Sequence, residues 1–337
     1  MSSNTSKTKS FIRGAVPVAI VILCGSEAVF AENLVLEEIT VTAQKRSQTA
    51  NELPMAIQAF SGDVLRDNGV TTASDLVQIT PGLTYAKSPT NTPIFTMRGI
   101  GFNTTNLSST ATVGLYVDEV AYAYPYMANG ALFDMERVEV LKGPQGTLFG
   151  RNTTGGLINF ITNKPSQELE ASVAVEIGNY DTYSLEGHLN VPLTGRMAFR
   201  LSARGDKRNE GYQDSISRND TNGKRDTTAL RRIFDWEATD TFRFTLSGSY
   251  WEDQSDSVAG QIVGLNPDSP DFVPPSVAAL DLNRDWENDE ADWDQGKGPS
   301  GLGQETDSKF YSIAGRIEWD FNDSVSIIDR LQRRRAY

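Results

Sequence analysis

Five glycines and a lysine lie between Lys142 and Gly156, and these are the residue types from which a phosphate cradle is built, since glycine lets the backbone turn its N–H groups onto an anion. A P-loop needs Gly, four residues, then Gly-Lys-Ser/Thr, but Lys142 precedes Gly143, Gly146, Gly150, Gly155 and Gly156. A second cluster, Arg98-Gly99-Ile100-Gly101-Phe102, puts Thr104 where a dinucleotide fingerprint wants its third glycine. His188 is the only histidine; it alternates with Leu189 on a strand, which places it on a polar face and predicts a polar contact rather than metal ligation. Asp118-Glu119 and the acids from Asp285 to Asp294 lack His or Cys partners, and read as solvated acidic faces. Trp251, Trp286 and Trp293 belong to a long acidic loop that could contact a ligand. No catalytic constellation, cofactor cradle or metal-ligand set emerges, and the chain reads as a non-enzyme.

The glycines must therefore serve the backbone. Arg137 to Leu141 and Leu157 to Thr162 read as short strands, with Val138, Val140, Ile158 and Ile161 supplying β-branched side chains. The connection between them is built for tight folding, with Pro144 fixing one corner. Around this pair, residues 50 to 165 read as a small α/β domain. Met55 to Phe60 is expected as a strand, Ser61 as the cap of a helix to about Asn68, and Thr72 to Ile79 as a second helix stopped by Pro81-Gly82. Strands are expected at Ile94 to Arg98 and Val113 to Val117, the latter turning at Asp118-Glu119.

At the start, Lys7, Lys9 and Arg13 precede an apolar run from Ala15 to Leu23, and Val29-Phe30-Ala31 makes a small-residue cleavage site. Residues 1–31 are expected to be a signal peptide cleaved after Ala31; the run is far short of the roughly 18 residues that would span a bilayer. Cys24, the only cysteine, follows the bulky Leu23, which argues against lipidation, and it leaves with the signal. The net charge of −13 then becomes −15, because three basic and one acidic residue are lost. Such a chain is repelled by phosphate, so nucleic acid is not an expected partner. An exported chain of this kind is soluble, or enters a membrane as a β-barrel.

Beyond Pro165 the hydrophobic period becomes two. Leu169, Ala171, Val173, Val175 and Ile177 alternate with Glu170, Ser172, Ala174 and Glu176, and the pattern recurs at Tyr183 to Val191, Phe199 to Gly205, Ala229 to Glu237, Phe242 to Tyr250 and Tyr311 to Phe321. These lengths suit tilted membrane strands. A soluble sandwich would alternate as well. After a first turn at Asn179 to Asp181, however, the connections are short at Thr194-Gly195, Ala238 to Asp240 and Asn322-Asp323, and long at Asp206 to Thr227 and Trp251 to Ser308. Short turns at one end and long loops at the other are the outer-membrane barrel arrangement.

The run VEVLKGPQGTLFGRNTTGG closely resembles the plug-domain signature of TonB-dependent outer-membrane receptors, and TPGL at Thr80 to Leu83, RGIG at Arg98 to Gly101 and VGLYVDEV at Val113 to Val120 resemble further plug segments in the same order. The signature residues are Arg98, Gly99, Arg137, Glu139, Lys142, Gly143, Pro144, Gly146, Gly150, Arg151, Gly155 and Gly156. The fold class this implies is an α+β plug domain (50–165) followed by antiparallel β-strands of an incomplete transmembrane β-barrel (166–337). Residues 32–49 would be a periplasmic tether. By position, Glu38, Ile39, Thr40, Val41, Thr42 and Ala43 resemble the TonB box, the segment that adds as a strand to TonB; that pairing draws on main-chain hydrogen bonds and suits a proline-free extended stretch. Glu136, Arg137, Glu139, Lys142 and Arg151 are expected to face a polar lumen.

The resemblance implies TonB-dependent uptake of a ferric chelate or similarly large nutrient, as in siderophore transport, with TonB and its inner-membrane energising complex, outer-membrane lipid and the ligand as partners and no cofactor. Such receptors close their barrel with roughly 22 strands, whereas about seven are countable here by the alternation. Ser324 to Tyr337 begins like a strand but carries Arg330 and Arg333-Arg334-Arg335, which fits no lipid-facing pattern. The chain is therefore expected to be an N-terminal part of a receptor. The competing expectation is a standalone periplasmic plug or adaptor, or a non-functional fragment, that binds TonB or ligand without transport.

Overall fold

The computed structural model describes residues 40–42, 48–49, 55–87, 92–102, 111–130, 132–215, 221–256, 290–291, 306–322 and 325–336. Ala31, Glu38, Ile39, Ala43, Trp286 and Trp293 lie outside these residues, as does most of the long acidic loop.

Two short strands, β1 (Thr40–Val41) and β2 (Gln48–Thr49), pair antiparallel. β3 (Ile57–Ser61) leads into α1 (Gly62–Asp67), whose first turn is capped by Ser61 Oγ accepting from the Val64 N–H at 3.3 Å. The expected second helix is cut to one turn, α2 (Leu76–Ile79). The cause is local. Asp75 Oδ2 accepts from the N–H groups of Thr71 and Thr72 at 3.0 and 2.7 Å, which fixes Thr72 to Ser74 as turns. β4 (Leu83–Lys87) pairs with β5 (Pro93–Met97), and β6 (Val113–Val117) turns back at Asp118-Glu119 into β7 (Val120–Tyr122).

β8 (Met135–Lys142), the one-turn α3 (Gly146–Phe149) and β9 (Gly156–Thr162) complete a five-stranded sheet in the order β3-β8-β9-β6-β7, antiparallel except for β6 beside β9. Both its faces are covered. Val138, Val140, Ile158 and Phe160 pack on Leu65, Leu76 and Met97, while Leu141, Leu157 and Tyr116 on the other face are covered by Phe149 and by Val41 of β1. Gly156 sits at φ +145°, where an added Cβ would lie 2.3 Å from the Leu141 carbonyl oxygen and 2.4 Å from Met97 Sδ, so no other residue fits.

Past Pro165 follow β10 (Glu170–Gly178), β11 (Thr182–Thr194), β12 (Met197–Arg208), a small pair β13 (Gln213–Ser215) and β14 (Thr221–Asn222), then β15 (Arg225–Thr239), β16 (Phe242–Asp253), β17 (Glu290–Ala291), β18 (Ser308–Asn322) and β19 (Val325–Ala336). β10, β11, β12, β15, β16, β18 and β19 form one antiparallel seven-stranded sheet, and β10 and β19 are its two edges. The strands outrun their expected lengths at the loop end, because β12 and β15 stay paired as far as Arg208 and Arg225. The arginine-rich end is a strand after all: β19 pairs with β18 from Val325 to Ala336, the open edge of β18 supplying a full set of hydrogen-bonding groups. Among the described residues no helix is long and apolar enough to cross a membrane, which says nothing of strands.

Candidate functional site

The sheet past Pro165 has two unlike faces. Leu169, Val173, Val175, Ile177, Leu185, Leu189, Ile313 and Trp319 are exposed on one of them. Asn190, Arg200, Ser202, Asp206, Arg231 and Asp235 are buried on the other, which faces the small sheet. Among the described residues the contact between the two sheets includes a polar knot and an aromatic cluster. Asp134, just before β8 and at φ +49°, accepts from Arg200 Nε at 2.8 Å, Arg200 Nη2 at 2.6 Å, Asn163 Nδ2 at 2.8 Å and the Ser202 hydroxyl. Its own N–H donates to Glu186 Oε1 at 3.0 Å. Burial works to raise the Asp134 pKa, but those hydrogen bonds and the Arg200 charge outweigh it and hold it at about 2.

Next to it, Arg231 donates to the Phe133 carbonyl at 2.8 Å and lies 4.2 Å over the Phe133 ring, and Trp251 Nε1 donates to the Met127 carbonyl at 3.1 Å. Gly130 is required there: an added Cβ would stand 2.5 Å from Trp251 Cγ. His188 Nδ1 is 3.8 Å from Asp134 Oδ1, so the polar contact expected of it is with this carboxylate.

At the far face of the small sheet lies β1. Val41 is fully buried among Tyr116, Leu141, Phe149 and Leu157, and Thr42 N–H donates to Glu139 Oε1 at 2.8 Å. Glu139 is fully buried too, accepting from Arg137 Nε at 2.8 Å and Asn159 Nδ2 at 3.3 Å. Arg137 also pairs with Glu136. For Arg137 and Glu139 the expectation of a polar lumen is corrected: both are buried on a face that β1 and α3 cover, whereas Glu136 and Arg151 are exposed and Lys142 Nζ donates to the Pro81 carbonyl at 2.8 Å. Burial, with some help from Arg98, lowers the Lys142 pKa.

The remaining signature residues shape turns. Arg98 and Gly99 both take positive φ, and Arg98 N–H donates to the Gly82 carbonyl at 2.7 Å, so the Thr80 to Leu83, Arg98 to Gly101 and Lys142 segments meet at one end. Gly143 N–H donates to the Gly155 carbonyl at 3.0 Å; Pro144 and Gly146 open α3 and Gly150 ends it at φ +76°, while Arg151 is exposed. Asp118 is no solvated acid. It accepts from Lys164 Nζ at 2.5 Å and from the Thr162 N–H and hydroxyl at 3.1 and 2.9 Å; burial acts to raise its pKa, and these partners lower it on balance. Among the described residues no group of three or more His, Cys, Asp and Glu side chains is placed to hold a metal ion.

The family model described as TonB-dependent Receptor Plug Domain matches residues 49–157. The chain carries a TonB-dependent receptor plug. It is similar to the ferripyoverdine receptor of Pseudomonas aeruginosa, at 28% identity over 214 residues, covering 62% of this chain and 24% of that protein. The pesticin receptor of Yersinia enterocolitica is 32% identical over 160 residues, covering 46% and 23%. The crystal structure of the ferric yersiniabactin uptake receptor FyuA from Yersinia pestis matches with a TM-score of 0.67 at 19% identity, over 84% of this chain and 41% of that one, which shows a shared fold. The chain thus spans about a quarter of the length of these curated relatives. Neither Phe133 nor Asp134 is marked in the sequence as a wall contact, although the aromatics Tyr122, Tyr124 and Tyr126 ahead of β8 hint at the surroundings of Phe133.

Proposed function

We propose that this chain is the plug-bearing portion of an outer-membrane receptor that takes up a ferric chelate or similar large nutrient with energy from TonB. The observation that carries the reading is the two-faced wall: apolar residues point away from the plug and charged residues point at it, the inverse of a water-soluble sheet and the pattern of a strand wall in lipid. In this account residues 1–31 are the signal peptide, 32–49 the periplasmic tether, 50–165 the plug and 166–337 wall strands. The names of the similar proteins, receptors for ferripyoverdine and for ferric yersiniabactin among them, support iron-chelate uptake as the class.

Glu38 to Ala43 would pair with TonB as an added strand. Val41 is docked in the plug, so pairing first requires Val41 and Thr42 to leave Leu157 and Glu139. Energy from the inner-membrane complex would then act on the plug through the tether. The plug–wall contact joins hydrogen bonds and ion pairs around Asp134, which exchange for water at modest cost, to an apolar cluster of Met127, Phe133, Trp251 and Phe310, which does not. Outer-membrane lipid covers the apolar face. A periplasmic adaptor has no use for that face.

The test is site-directed cross-linking between Thr40→Cys and the periplasmic domain of TonB. Val41→Pro removes a strand N–H and should abolish the cross-link. An undiminished cross-link places the TonB contact elsewhere. Alkaline extraction of membranes addresses the wall: retention is expected, whereas release into the wash favours the adaptor.

A further inference from the structure

One residue breaks the pattern of the wall. Arg232, on β15, is exposed on the same face as Leu185, Leu189 and Ile313. Across the strands it is flanked by Leu201 of β12 and Gly248 of β16, and along its own strand the neighbours on that face are Leu230 and Phe234. Among the described residues it makes no hydrogen bond or ion pair. Acids that share this face nearer the long-loop end are already held, Asp226 by Lys207 at 3.3 Å and Glu252 by Lys309 at 2.9 Å. A guanidinium has N–H donors and no acceptor, and hydrocarbon offers those donors nothing.

The register sets its depth. Tyr250 stands beside Leu230, and its ring lies 4.9 Å from that of Tyr311 on the next strand, a pair of amphipathic rings of the kind that settles at headgroup level. Trp236, Phe242 and Trp319 mark the other, short-turn end. Arg232 lies one pleat below Leu230, about 7 Å along the strand and roughly 5 Å in depth at the usual barrel tilt, and about twice as far from Trp236. Its stem can therefore rise past Leu230 and bring the charged head to the interface while the methylenes stay in the apolar layer. Beside it, a Cβ added to Gly248 would meet only the Ser312 carbonyl oxygen, at 3.9 Å, so the face is open next to the stem.

We propose that Arg232 is the docking point for the phosphate of one membrane lipid in the leaflet at the long-loop end, with an acyl chain of that lipid running beside it over Gly248. Phosphate is the anion available at that level, and its oxygens match the guanidinium fork. A carboxylate partner would have to be brought to the same depth by a second protein. The proposal rests on the reading of the exposed face as covered by lipid, and adds that one place on this face selects among lipids.

The experiment is fluorescence quenching on the full chain reconstituted in bilayers of an uncharged galactolipid, with a small fluorophore at Ile313→Cys, about 10 Å from Arg232 across Gly248. The quencher is a small fraction of brominated phosphatidylglycerol or, in parallel, of brominated galactolipid. Phosphatidylglycerol is favoured about tenfold at this position, the worth of one charge-assisted hydrogen bond. Arg232→Gln brings the ratio to one, and Arg232→Lys keeps part of the preference. Arg196→Gln removes a cation that pairs with Asp240 at the short-turn end, and leaves the ratio unchanged. Equal quenching by both lipids in the parent, an undiminished preference in Arg232→Gln, or an equal loss in Arg196→Gln overturns the site and leaves the lipid-facing wall standing. No quenching by either lipid overturns both.

Discussion

The two sheets of this chain alternate with the same period and solve opposite problems. In the small sheet Val138, Val140, Ile158 and Phe160 are fully buried, and the charged Glu139 is drawn in only because Thr42, Arg137 and Asn159 satisfy it. In the wall sheet Val173, Val175 and Ile177 are 74%, 66% and 77% exposed, while Arg200 and Ser202 are buried. Alternation alone therefore does not say which face is inside. The contents of the covered face decide it: a sheet that hides its charges and displays its aliphatics is the pattern expected of a lipid-facing wall, which is the reading proposed above.

The sharpest way to break the comparison is to shave one apolar side chain from each sheet. Phe160→Ala should cost about 4 kcal/mol of plug stability, the range for truncating a buried aromatic, read as a loss of urea resistance in the plug. Val175→Ala in detergent should change that midpoint hardly at all. Next comes Asp134→Asn, which leaves the buried Arg200 with Glu170 at 3.1 Å as its remaining carboxylate. A loss of about 3 kcal/mol is expected, seen as faster hydrogen exchange at Phe133 to Met135 with the Phe160 side of the sheet unaffected. Uniform loosening of the whole plug would mean that the two regions are not separable.

The third effect is a dependence on acid. The Asp134 carboxyl is held at about 2 against an ordinary value of 3.8, so its contribution is complete above about pH 4 and is lost as the pH falls towards 2. The size is roughly 2 kcal/mol, and Asp134→Asn should remove this part of the acid profile. The smallest effect in water should come from Val175→Arg, which is near neutral in micelles wet enough to hydrate the side chain, but costs about 2 kcal/mol or more once the sheet is placed in a bilayer. Equal tolerance in both settings would turn the exposed face back into a surface meant for water.

Much of this was legible in the residues. The period-two runs located the wall strands, and the glycine-rich segment between β8 and β9, with Thr80 to Leu83 and Arg98 to Gly101, located the plug. Four things were hidden, each for a physical reason. Val41 docks through a two-residue strand, too short to leave a pattern. Arg137 and Glu139 alternate with Val138 and Val140 as lumen-facing charges would, and only the covering by β1 and α3 makes theirs an inner face. The strand β19 overrides its arginines because the edge of β18 needs a partner more than the sequence resists one. Asp134 gave no local sign, since its partners Arg200, Ser202 and His188 come from more than fifty residues later in the chain.

The central claim is that the wall sheet has lipid on one side and the plug on the other, and neighbouring positions of β11 test it most directly. A small fluorophore attached at Leu185→Cys, on the exposed face, should be quenched by brominated lipid and shielded from aqueous iodide when the chain is reconstituted in bilayers. The same fluorophore at Ser184→Cys should show no quenching by the lipid. Iodide quenching at both positions, with none from brominated lipid at Leu185, would contradict the account.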